Sequence, residues 1–238
     1  ADDIMPQNRL KWMVECIENS PPRTIVTGKV SYFSDHPISE GYLSYQNWLN
    51  ERIDKKDHFQ HIYRECVIAS PNWMCRKSDL ITDSIFGSLS YPEDYDMTFH
   101  WMKHNYSIET INEVTLLWRE HPDRTSRNSN RYQQASFFEL KAKRFMEFNT
   151  SISSVGIVGM GQKGKLLAKL FDEANFPFEL YDLNASTMNQ TIRGKQVKPA
   201  QEINDEKLLI ARYPKDINMV EDFLNKLGYE IGKNAFWV

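Results

Sequence analysis

The sequence predicts an α/β protein in two modules, residues 1–149 and 150–238. Three observations carry that prediction. Amphipathic helical stretches alternate with short β-branched runs through the first module. A polar segment, Asn149 to Ser154, then marks a boundary. Beyond it the order becomes strand, glycine turn, helix, strand, which is the pattern of βαβ units and a mainly parallel sheet.

From Pro6 to Asn19, Leu10, Met13, Val14 and Ile17 fall at i, i+3, i+4 and i+7, so the stretch reads as a helix that Ser20-Pro21-Pro22 ends. Thr24 to Phe33 reads as a strand, and His36 to Gly41 as a loop. Tyr42 to Ile53 is an amphipathic helix with Tyr45, Trp48, Leu49 and Ile53 on one side. That stripe suits a protein core, with a membrane surface as the alternative. Cys66 to Ala69 reads as a short strand, and Ser78 as the cap of a helix from Asp79. A helix from Met97 to His104 follows the acidic run Glu93-Asp94-Tyr95-Asp96. Two strands are predicted near Ser107 to Ile111 and Val114 to Trp118, then a long helix from Asn130 to Phe148. In the second module the strands are Val155 to Val158, Phe178 to Tyr181, Lys207 to Ala211 and a last segment from Tyr229. The helices are Lys165 to Ala174 and Ile217 to Leu227.

Composition narrows the function. The chain has 238 residues, 41% of them hydrophobic, and a formal net charge of −3 with both signs interspersed. That excludes a nucleic-acid footprint and a polybasic membrane tether. No apolar run reaches the length of a transmembrane helix, and no signal-peptide pattern opens the sequence. Cys16, Cys66 and Cys75 lack metal-type spacing, so reduced thiols in a cytoplasmic protein are expected. The sequence opens Ala1-Asp2-Asp3 without an initiator methionine, and a missing upstream piece is expected.

Two places carry chemistry. The first is Tyr91-Pro92-Glu93-Asp94-Tyr95-Asp96, with Trp118-Arg119-Glu120-His121-Pro122 after it. Carboxylates at a helix start complement the helix dipole, which is one reading. The other is a general base, Asp94 with Glu93 beside it, aimed into a cleft. Together with Asp2, Asp3 and His121 the run fits a divalent-cation site that absorbs the charge of a diphosphate. The second is Gly159-Met160-Gly161-Gln162-Lys163-Gly164, which follows a strand and opens a helix, with Asp182 ending the next strand. Such glycines let phosphate approach backbone N–H groups, and such an acid can bind ribose hydroxyls. The alternative is that the glycines only permit close helix–strand contact.

In order along the chain, these motifs resemble the second half of a family 2 glycosyltransferase of the GT-A fold, from Ala1 to about Glu147. The carriers are Ala1-Asp2-Asp3-Ile4-Met5-Pro6-Gln7-Asn8-Arg9-Leu10, Ser70-Pro71-Asn72-Trp73-Met74, the acidic run, and Trp118-Arg119-x-His121-Pro122 with Ser126. The resemblance implies an inverting transfer from a nucleotide-sugar donor to a carbohydrate or lipid-linked acceptor, in surface polysaccharide synthesis. It implies Mn2+ or Mg2+ held by Asp2 and His121, Asp94 as base, and Asp3, Trp73, Met74 and Arg119 as substrate contacts. It also implies that the first metal-motif Asp and the nucleotide-binding strands lie upstream of Ala1, so this chain is expected to bind donor poorly.

The second module resembles the small Rossmann-like modules attached to some carbohydrate-modifying transferases. Gly159, Gly161, Gly164 and Asp182 are its candidate contacts to a nucleotide or NAD(P). Two other readings stay open: a non-enzymatic nucleotide-binding module, and a small NAD(P)-dependent oxidoreductase, for which no catalytic Tyr-Lys pair is present. His100 and His104, spaced i, i+4, could hold a metal but lack a third ligand, and His58 and His61 are similar. Arg119, Arg124, Arg127 and Arg131 are candidate diphosphate contacts or plain surface cations. The expected location is the cytoplasm, with the inner face of the membrane as the place of any peripheral contact.

Overall fold

A computed structural model describes residues 2–86, 90, 92–122, 134–184, 186–187, 190–212 and 217–238. The chain is α/β and divides into two compact units. The first comprises 1–62 and 66–136, the second 63–65 and 137–238. The division therefore falls earlier than the polar segment at 149–154. The helix before that segment buries Phe138, Leu140, Ala142 and Phe145, and Phe145 meets Tyr63, Phe171, Phe176 and Phe236 of the second unit. Aromatic burial outweighs the loop-like composition that follows.

In the first unit, α1 (Arg9–Glu18) buries Met13 and Ile17 against Val26 of β1 (Thr24–Phe33). Its last-turn carbonyls are met by the Asn19 and Ser20 side chains, which donate to Glu15 O and Cys16 O, and by a distant arginine that also meets the residues just past the helix. Arg76 donates to Ile17 O, Ser20 O and Pro21 O at 2.5, 2.6 and 2.7 Å. The sheet order is β2-β1-β3, with β2 (Trp73–Met74) antiparallel to β1 and β3 (Ser107–Arg119) parallel to it. The two strands expected at 107–118 are one, because a register irregularity near Gly28 absorbs Asn112 and Glu113 without ending the ladder. Gly28 is required there: a Cβ would stand 2.5 Å from Thr115 Oγ1. The same Thr115 donates to buried Asn72, whose amide donates to Gly28 O at 2.7 Å.

β2 covers only Val26 and Thr27 of β1. Farther along, α2 (Glu40–Lys55) supplies the missing partners. Asn50 accepts the Val30 N–H at 2.9 Å and donates to Val30 O at 3.0 Å, and Gln46 accepts the Tyr32 N–H at 2.6 Å. The strand edge is thus closed by side chains instead of a strand.

Cys66–Ala69, expected as a strand, is irregular though fully buried. Its backbone is met locally and by side chains: Tyr45 donates to Cys66 O, the Cys66 thiol to Ile68 O, and the Asn72 N–H to Ala69 O. α3 (Lys77–Thr82) is short and starts at Lys77, with Arg76 as N-cap. α4 (Glu93–Lys103) begins at Glu93, so the acidic run is its first turn and does not precede it.

In the second unit, α5 (Gln134–Phe148) precedes β4 (Val155–Val158), α6 (Gln162–Glu173), β5 (Phe178–Asp182), β6 (Thr191–Ile192), β7 (Lys195–Pro199), β8 (Lys207–Ile210), α7 (Ile217–Lys226) and β9 (Ala235–Trp237). The sheet order is β6-β7-β5-β4-β8-β9, parallel throughout except for β6. β4 is the first strand of the unit and lies at its centre, buried at all four residues. The β6–β7 hairpin turns through Arg193 and Gly194, both at positive φ, and has no periodic signal in so short a sequence. No described helix is long and apolar enough to cross a membrane.

Candidate functional site

The site forms where β1 and β3 end together, at the pair Phe33 and Arg119. Alternation along β3 sends adjacent side chains to opposite faces. Trp118 goes to the α2 side, stacked on Tyr32 at 5.0 Å. Arg119 goes to the other face, its guanidinium 4.6 Å from the Phe33 ring centroid. That contact is worth about 0.5–1 kcal/mol at an exposed position and orients the planar fork.

The start of the chain is brought to this place by a two-way backbone pair. Ile4 and Leu117 exchange N–H···O bonds at 2.9 and 3.0 Å in an antiparallel bridge. Asp3 then accepts the Arg119 backbone N–H at 3.0 Å, and Arg119 Nε donates to Asp2 O at 3.2 Å. Arg119 Nη1 lies 3.3 Å from Asp35, whose side chain is 86% exposed. Two residues past the strand, His121 Nε2 meets Asp2 Oδ2 at 2.5 Å. Both partners remain open to solvent, with side chains 33% and 50% exposed. The hydrogen bond from His121 is the main cause that holds the Asp2 carboxyl below its ordinary range.

Four of the residues singled out by sequence therefore converge: Asp2, Asp3, Arg119 and His121. Glu93 and Asp94 stand elsewhere in sequence, in the first turn of α4. Glu93 is exposed, and Asp94 is half-buried and accepts the Tyr95 N–H at 2.8 Å. The fully buried acid of that run is Asp96, which accepts the Ser90 N–H at 2.5 Å and lies 3.8 Å from His100.

Trp73 and Met74 are not gathered at the site. They pair with Thr27 and Val26, six or seven strand residues from Phe33, about 20 Å along the sheet. Met74 packs with Met13 and Ile17, and Trp73 meets Trp101 edge-on at 5.2 Å. Both are half-buried, each packed on one side against the core. His100 and His104 do not converge on a metal either: His100 is near Asp96, and His104 faces Asp83 at 3.5 Å. His61 likewise faces Asp57, at 3.3 Å. Tyr91, Arg124, Ser126, Arg127 and Arg131 lie outside the described residues. Among the described residues, no group of three or more His, Cys, Asp and Glu side chains converges to hold a metal ion.

Sequence reasoning missed Phe33 and Asp35, which fix the Arg119 head on either side. An aromatic residue opposite an arginine at the ends of two paired strands is the signal, and it requires the pairing register to be seen.

In the second unit the glycine turn follows β4 as expected. Gly159 has φ of +101°, and Gly161 is the N-cap of α6. A Cβ on Gly164 would collide with Gly159 O, so this glycine lets the helix sit directly on the turn. Asp182, at the end of β5, is buried. Its Oδ2 accepts the Met160 N–H at 2.9 Å, and its Oδ1 accepts the Asn184 N–H at 3.0 Å and Arg212 Nη1 at 3.1 Å.

Compared with known proteins, the chain matches no protein-family model, no curated protein and no solved structure.

Proposed function

We propose that the first unit contributes to an inverting glycosyl transfer from a nucleotide-sugar to a hydroxyl acceptor, in the assembly of a surface polysaccharide. The observation that carries this reading is the meeting of Asp2 and His121, 119 residues apart in sequence, at 2.5 Å and open to solvent. A carboxylate oxygen and an imidazole nitrogen suit Mn2+, and the oxygen suits Mg2+. Asp2 and His121 would hold such a cation in place of the proton they share, and it would supply positive charge for a departing diphosphate.

The residues of the chain do the rest. Asp3 and Phe33 orient Arg119, whose remaining N–H groups reach a diphosphate oxygen once Asp35 releases them. Asp94, with Glu93 beside it, takes the proton from the acceptor hydroxyl as that oxygen attacks the anomeric carbon. The new carbon–oxygen bond forms on the face opposite the diphosphate. The bond to the diphosphate breaks, its electron pair leaves with the nucleotide, and the configuration inverts. Asp94 later returns its proton to water.

The test is release of nucleoside diphosphate from labelled nucleotide-sugars in the presence of Mn2+ and a hydroxyl acceptor. In the complete enzyme, Asp94→Asn is expected to lower kcat by about 10²–10⁴ with little change in the KM for donor. Near-native turnover by Asp94→Asn contradicts the assignment.

A further inference from the structure

The sheet of the second unit reverses its strand order at β4, with β5 on one side and β8 on the other. In parallel sheets of this order, dinucleotides lie outside the carboxyl ends of the strands at that point. A ribose-binding acid there must present an open oxygen. Asp182 does not: its side chain is only 5% exposed, and it already accepts three hydrogen bonds.

Arg212 closes the place from the other side. It follows β8, and its Cγ stands 2.5 Å from where a Cβ on Gly159 would be. Its stem thus lies on the bare α-carbon of the turn, and its guanidinium reaches Asp182. Gly159 is glycine both for its positive φ and for this close approach. The Met160 N–H, a backbone donor of the turn, points at Asp182 and away from any external phosphate.

We propose that the Arg212–Asp182 bridge fills the nucleotide crevice of the second unit from within, so that this unit binds neither NAD(P)H nor a nucleotide through its glycine turn. Asp182 is a positioning residue that ties the turn to the ends of β5 and β8. This holds whether or not the first unit transfers sugars, since no residue is shared.

The experiment has two readouts on the full chain. NADH and NADPH are titrated separately and followed by nicotinamide fluorescence. No saturable signal is expected up to about 1 mM, an affinity below that of a working cofactor site. Hydrogen exchange by NMR then reads the Met160 amide. It is expected to be protected in the wild type and to lose protection at least about tenfold in Asp182→Ala, as removal of a charge-assisted acceptor requires. Gly161→Ala, where a Cβ meets nothing within 4 Å, should keep that protection. Saturable NADH or NADPH binding by the wild type overturns the proposal. So does a Met160 amide that exchanges at the same rate with and without Asp182.

Discussion

His58 gives the first unit a defined sensitivity to acid. It sits in the 3₁₀ turn His58–His61, is 2% exposed, and neither ring nitrogen has a hydrogen-bond partner among the described residues. Burial, then the charge of Arg52, then His61 push its pKa down from 6.5 to about 4. Arg52 is itself buried and pairs with Asp57 at 2.7 Å, and Asp57 also faces His61 at 3.3 Å. The folded chain therefore keeps His58 neutral where the unfolded chain takes up a proton. Above pH 6.5 no penalty exists. As pH falls from 6.5 towards 4, stability is lost at about 1.4 kcal/mol per pH unit, reaching about 3 kcal/mol at the lower end. His58→Leu keeps the volume and removes the proton site and the orphaned nitrogens. It should be no less stable than wild type near neutral pH and should lack this part of the acid slope. Urea unfolding followed by tryptophan fluorescence reports the right unit, since Trp12, Trp48, Trp73, Trp101 and Trp118 all lie in it and only Trp237 lies in the other. Equal loss of stability in wild type and His58→Leu between pH 6.5 and about 4 refutes the reasoning.

The glycine turn separates into a structural and a permissive position. Gly164→Ala places a Cβ into Gly159 backbone and should destabilise the second unit by about 3 kcal/mol or more, read as a lower melting temperature of that unit. Gly161→Ala has room and a φ of −70°, so its stability should stay within about 0.5 kcal/mol of wild type.

The parts legible in the sequence were those with a local repeat. β1 is β-branched and aromatic along its length, α2 carries a stripe at helical spacing, and the βαβ order after Ser154 follows from strand, glycines and helix in succession. The acidic run was seen to mark a helix start, and the structure moves it into the first turn. What was not legible depends on contacts far apart in the chain. Cys66–Ala69 is as apolar as a buried strand, but its hydrogen bonds go to side chains that no periodicity reveals. Trp73 and Met74 lie far from Arg119 along β1, and only the register of Val26 with Met74 and Thr27 with Trp73 reveals that distance. Asp182 stood where a ribose-binding acid belongs, and only the fold shows Arg212 reaching it across 30 residues. The Asp2–His121 pair came from the order of motifs, because a contact spanning 119 residues leaves no local trace.

The site is tested most directly by Mn2+ binding. Electron paramagnetic resonance reports the free ion as protein is added, with a nucleoside diphosphate present. The account predicts that wild type depletes the free signal and that Asp2→Asn and His121→Ala each restore it. Equal Mn2+ affinity in all three proteins, or none in the wild type, contradicts it.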